Sequence, residues 1–210
     1  DDDGVMSEYL VGAVPNTFAL NVATANKITC DLGFIATNNE QRTGQTGPKT
    51  GNRPELVDAD AFNTSSDFSR LKMSLVDPSD SSVTPLFAFL TELTLNINNN
   101  CSPNKAVSVL GAFDVTAGTV EVAGSVRAYF ASIDAVQAVR ENSDVTLDFA
   151  VVKANAGLVF DIPLLALGDG RLTIEQDQPV TLPLTMAAAK SLHGYTFMMN
   201  VFPYLPDVAE

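Results

Sequence analysis

The residues able to do chemistry are few. His193 is the single histidine among 210 residues, and Ser191 stands two positions before it. A serine nucleophile needs an imidazole brought to it in space rather than in sequence, and no GxSxG elbow exists to present one. His193, just ahead of Gly194, therefore reads as a turn residue. The run GQTGPKT at 44–50 invites comparison with a phosphate loop, but Pro48 separates Gly47 from Lys49, where the motif needs them adjacent. Pro54 then stands where a helix should run, so the segment reads as a flexible loop with turn chemistry. Cys30 and Cys101 are either small core-like thiols or a single disulfide. No CxxC or HxxxH spacing offers a metal site, and DDDG at 1–4 is too short for a calcium loop. Two carboxylates alone can serve a glycosidase, but 25 acids make a suitable pair unspecific, and no Trp is present to stack on a sugar. The expectation is a protein that is not an enzyme and holds no metal or cofactor.

Charge narrows the class further. Twelve bases against 25 acids leave a net charge of −13, while 46% of the residues are hydrophobic. That apolar share belongs to a folded domain rather than an acidic tail. So acidic a chain offers no surface for gripping nucleic acid, which requires Lys and Arg against phosphates. No apolar run is long enough for a membrane-spanning helix, and the start lacks the pattern of a signal peptide. The opening Asp1, Asp2, Asp3 without Met suggests that an N-terminal portion precedes residue 1.

The elements that must carry these residues are mostly strands. Apolar residues recur with period two at 17–23 (Phe18, Leu20, Val22) and in a partner at 27–36 (Ile28, Cys30, Leu32, Phe34). The same alternation marks 70–76, 92–98, 107–113, 119–130, 145–152 and 158–167. Asp169-Gly170 is a type I′ hairpin signal joining the 160–167 strand to 172–176. Strands at 180–188 and 195–202 bring the total to about ten, at the spacing of sandwiches and barrels. The segments 17–23 and 195–202 carry no Lys or Arg to blunt a sheet edge, which suits pairing between subunits. One short helix is predicted over 131–140, with Ser132 as N-cap, Asp134 in the first turn and Arg140 near the end. Its packing face is predicted as Ile133, Val136 and Arg140, with Val139 beside them. Residues 38–66, rich in Gly and Pro, form a long loop, and 77–85 a shorter one. The expected fold is mainly β, an antiparallel β-sandwich or barrel in a single domain over 1–210, with one short helix and a long loop.

From residue 92 the order of segments resembles the tail tube proteins of long, non-contractile-tailed bacteriophages. The Asn-rich ELTLNINNN at 92–100 is followed by GTVEVAGSVRAYF at 118–130. A short helix, LVFDIPL at 158–164 and QPVTLPLTMA at 178–187 complete the series. Residues 17–36 fit the family's earlier strand pair with its long following loop.

The resemblance implies a structural virion protein whose subunits form hexameric rings, stacked into a hollow tube for genome passage. It implies other tail proteins, including a tape-measure protein, as partners, and assembly in the host cytoplasm into the virion tail. The 38–66 loop would contact neighbouring subunits. DNA would pass without specific binding, because an acidic wall repels phosphates. Glu121, Asp148, Asp161 and Glu175, on strand positions opposite the core face, are the candidate lumen acids. The alternative from a different class is a monomeric secreted or surface β-sandwich binding module, lectin- or adhesin-like.

Overall fold

A computed structural model describes residues 6–43, 60–77, 82–87, 89–130, 133–153, 156–172, 174 and 176–202. The first strands are β1 (Met6–Val11), β2 (Val14–Ala23), β3 (Thr29–Ile35), β4 (Asn38–Thr43), β5 (Phe68–Val76), β6 (Val83–Pro85) and β7 (Leu90–Asn98). They are followed by β8 (Ser102–Asn104), β9 (Asp114–Thr116), β10 (Glu121–Tyr129), the helix α1 (Asp134–Glu141), β11 (Val145–Lys153), β12 (Ala156–Asp169), β13 (Thr181–Ala188) and β14 (Met198–Phe202). The protein is mainly β, antiparallel and sandwich-like, with one helix among the described residues. Ten strands share one sheet in the order β3-β2-β7-β10-β13-β12-β11-β5-β6, with β14 on β12; β1 pairs β4 and β8 pairs β9.

The chain divides into two compact units. The larger comprises 19–30, 61–97 and 122–210. Period-two alternation builds its core: Val145, Leu147, Phe149 and Val151 of β11 are buried, as are Leu182, Leu184 and Met186 of β13. Phe149 and Phe160 are direct partners in the β11–β12 ladder and stack with ring centroids 4.4 Å apart. Phe68 and Phe197 flank them at 6.2 and 6.1 Å, giving an aromatic row of the offset kind that adds to area burial. A register shift between Val145 and Leu147 gives β12 an extra residue, so its buried set steps from Ile162 to Leu165. Where β10 passes β7, a Cβ on Gly124 would lie 2.1 Å from the Thr94 carbonyl oxygen, so only glycine fits there.

The smaller unit comprises 1–18, 31–60 and 98–121. It is held mainly by backbone and amide hydrogen bonds. Asn99 donates its backbone N–H to the Asn16 carbonyl at 2.8 Å and its side-chain amide to the Pro15 carbonyl at 3.0 Å. Among the described residues its one buried hydrophobic is Ala112, whereas Leu32 and Phe34 of β3 are 60% and 54% exposed.

Several expectations need correction. Alternation at Cys30, Leu32 and Phe34 does not mark a buried face, because β3 ends the sheet path and all three are exposed. The 17–23 strand is no edge, since β2 lies between β3 and β7. Residues 107–113 are not a strand: Ser108 and Gly111 take φ of 70° and 83°, which turns the chain. The front of the long loop, Asn38–Thr43, is β4 on β1; residues 44–59 lie outside the described ones.

Asp169 and Gly170 do take positive φ, 64° and 69°, but no strand follows over 172–176 among the described residues. Instead β12 runs on to Asp169 and pairs with β13 (Asp169 opposite Leu184). The helix starts at Asp134 with Ile133 at the N-cap and no side-chain cap; Ser132 lies outside the described residues. Ala135 and Ala138 form its buried face and Ile133 is exposed. Asn142, left-handed at φ 50°, closes the other end by donating its N–H to the Ala138 and Val139 carbonyls.

Two substitutions test this packing. Phe149→Ala is expected to cost about 3–5 kcal/mol, by transfer and cavity terms together. Gly124→Ala should also lower the unfolding midpoint, since the β10 backbone must move away from Thr94. Thermal or urea unfolding reads both, and an unchanged midpoint for Gly124→Ala would mean the strands part there without strain.

Candidate assembly surfaces

The four candidate lumen acids fall into different settings. Glu121 opens β10 and is exposed. Asp148 on β11 stands directly opposite Asp161 on β12 and, on its other side, opposite Lys72 on β5. Two carboxylates facing each other across a ladder repel, and each of these has its own partner. The Arg70 guanidinium bridges Asp148, and the Tyr195 hydroxyl donates to Asp161 at 2.8 Å. Both acids are half-buried, on the face opposite Leu147, Phe149, Phe160 and Ile162. Glu175 lies outside the described residues. The fold thus brings Asp148 and Asp161 together, and sequence could not have shown this without the β11–β12 register.

Other polar residues have structural work. The Ser191 hydroxyl donates to the Tyr195 carbonyl at 3.0 Å, closing the turn that carries exposed His193 and Gly194. The Cys101 thiol lies 3.9 Å from the Pro15 carbonyl, and Cys30 is an exposed thiol on β3. Among the described residues no group of three His, Cys, Asp or Glu side chains is placed to hold a metal ion. No described helix is long and apolar enough to cross a membrane.

What the surface does offer is open sheet edge and exposed hydrophobics. At one end of the ten-stranded sheet β6 is three residues long and finishes in Pro85, a blunted edge. At the other end β3 has seven residues, Asp31 as its single charge, and Leu32 and Phe34 open to solvent. β14, paired with β12, carries no charge, and Met198, Met199 and Val201 are exposed. Exposed apolar residues on a weakly charged sheet edge are the kind of surface that contacts between chains can cover.

The family model of phage tail tube proteins matches residues 1–188. The chain belongs to the phage tail tube protein family. The match takes in the smaller unit and the larger one up to residue 188, before β14, and extends the resemblance seen from residue 92 back over the N-terminal half. It makes the chain a structural component of a virion tail, and turns the reading away from a lectin- or adhesin-like module. No curated protein matches the chain.

Two side chains link these surfaces to pH. Tyr195 is held above its ordinary 10.0, first by donating to Asp161, then by burial and by the negative charge of that carboxylate. A group whose folded pKa is raised contributes stability in full below its unfolded value and loses it as pH climbs through the folded one. Asp67 is held below 3.8, first by the backbone N–H of Asn63, then by the Ser66 hydroxyl, with Lys153 adding attraction. Its contribution is complete above the unfolded value and is lost as pH falls through the folded one. Tyr195→Phe should therefore remove part of the stability loss seen above pH 10.0, and Asp67→Asn part of that below 3.8. Melting temperature against pH checks both; a Tyr195→Phe curve parallel to wild type above pH 10 would exclude the phenol's contribution.

Proposed function

We propose that the chain assembles into homo-hexameric rings that stack into the phage tail tube, leaving a lumen through which the genome passes at ejection. One observation carries the reading. The smaller unit buries one hydrophobic residue, Ala112, among those described, and exposes Leu10, Leu32, Phe34, Leu110 and Phe113. At about 25 cal/mol per Å² of apolar surface, leaving such side chains in water is costly, and covering them by neighbouring copies is the economical remedy. A ring requires two different surfaces on each subunit. The uncharged β14 and the nearly uncharged β3 are two such edges. Both units act as parts of one subunit. The hexamer count and stacked geometry rest on the family resemblance, as do the tape-measure partner and assembly in the host cytoplasm. The chain's role is structural and without turnover, so His193→Ala should leave assembly intact.

The net charge of −13 suits a wall that DNA must slide past without sticking. Glu121, Asp148, Asp161 and Glu175 are the proposed lumen acids. Glu121 is the exposed one, while Arg70 and Tyr195 engage Asp148 and Asp161.

Negative-stain microscopy of the purified protein is expected to reveal rings or hollow rods. Exchanging Leu32 and Phe34 together for Lys should leave circular dichroism unchanged, since both are exposed, and stop assembly at monomers. Rods from that double variant, or monomers alone from wild type at every concentration, would sink the reading. Glu121→Lys should permit assembly yet slow DNA release, most at low salt, because the Debye length grows from about 10 Å at 0.1 M to about 30 Å at 0.01 M. Unchanged ejection at every salt concentration would make the acidity a solubility device.

A further inference from the structure

We propose that residues 189–202 form an exchangeable strand: β14 of one copy leaves its own β12 and takes the same place on β12 of a second copy. The proposal rests on the tube reading for the presence of that second copy, and on the bonds of the segment for its chemistry.

The place is set by the sheet. One edge of β12 pairs with β11 between Ala156 and Leu165. The other edge is shared, with β13 on Leu165–Asp169 and β14 on Gly157–Asp161. Among the described strands β14 pairs only with β12, and four of its five residues are exposed. The Tyr195 hydroxyl donates to Asp161 at 2.8 Å, and the Phe197 ring lies 6.1 Å from that of Phe160. At the far end Phe202 lies against Gly157, where a Cβ would come within 2.8 Å of its ring, so glycine leaves it room.

The connection between β13 and β14 can open without disturbing the sheet. Ser191 accepts from the Gly194 N–H and donates its own N–H to the Tyr195 carbonyl, both at 3.0 Å. These bonds close the turn on itself rather than onto the strands. Leu192 is fully exposed, and nothing lies within 4 Å of where a Cβ on Gly194 would stand. Once the turn is extended, residues 189–197 span up to about 30 Å at roughly 3.3 Å each, enough to carry β14 to a neighbour.

A second copy is the occupant that the site itself specifies. Its β12 has the same sequence, so the ladder, the Tyr195–Asp161 bond and the place for Phe202 are all remade. Exchange of this kind joins copies without requiring any new contact. Charge favours it too, since Lys190 is the one charged residue in 189–202 and enters a copy whose net charge is −13. Each copy gives one strand and receives another, a head-to-tail link that propagates. The segment follows residue 188, where the match to the tail tube family ends.

Disulfide trapping tests the exchange. Leu158 and Val201 are direct partners across β12 and β14, at a separation that a disulfide spans. In a Cys30→Ser, Cys101→Ser background, chains with Leu158→Cys alone are mixed with isotope-labelled chains carrying Val201→Cys alone, assembled and oxidised. The expected product joins position 158 of one chain to position 201 of the other. A chain with both substitutions should close on itself when dilute and form a covalent ladder when assembled. Closure within single chains after assembly, with no mixed product from the single variants, would overturn the exchange. So would an equal yield from Leu158→Cys with Met198→Cys, which do not face each other. Tyr195→Phe should speed the appearance of mixed product roughly tenfold, through loss of a hydrogen bond to a charged acceptor. An unchanged rate would overturn the latch. Rods whose disulfides all close within one chain would remove the exchange and leave the tube reading. Mixed disulfides in a protein that forms only small closed oligomers would do the reverse.

Discussion

The stacked pair Phe149–Phe160 is the contact on which the larger unit depends. It lies in the β11–β12 ladder, and β12 is the strand on which the sheet converges, since β11, β13 and β14 all pair with it. Fourteen residues long, β12 meets β11 and β14 along its first half and β13 along its last five positions. The extra residue in its ladder lets the buried side stay apolar as it passes from one set of neighbours to the next. Two flat aromatic rings at 4.4 Å hold that crossing in register.

The smaller unit is built on the opposite principle. Its stability comes from hydrogen bonds among Asn, Thr and backbone groups, such as Asn16 accepting from Cys101 and Asn104 donating to Thr116. Each such bond contributes little net in water, because solvent competes for the same groups. Several of its large hydrophobic side chains, Leu10, Leu32, Phe34, Leu110 and Phe113, are left outward, where they add little to the isolated fold. The larger unit holds nearly all of the buried hydrophobic residues, while exposed apolar residues lie on both units, on β3 and on β14.

Electrostatics divides in a similar way. The acids with ladder neighbours of like sign, Asp148 and Asp161, are each compensated, by Arg70 and Tyr195. Those placed at strand ends, such as Glu121, stay exposed and contribute to the long-range field of the protein. Pairing offsets local repulsion in the sheet without erasing the net charge of −13.

Sequence alone determined the β class, most of the core strands and the family. Period-two alternation is a local property, and wherever a strand had two neighbours, as with β7, β10, β11 and β13, the alternating residues were the buried ones. The same pattern misled at β3 and at 107–113, because alternation records which residues are apolar and not whether anything covers them. Coverage is decided by strand order, and among the described residues β3 has no further strand beyond it. Positive φ at Asp169 and Gly170 was legible from the residue types; the partner strand was not, since the next strand among the described residues begins at Thr181. Only the tertiary structure decided that Asp148 faces Asp161, that a turn presents Val107 and Leu110 to solvent, and that β2, β5 and β7 leave a pocket between their ends. Each of these joins residues far apart in sequence, and register across a ladder is set by packing rather than by any local signal.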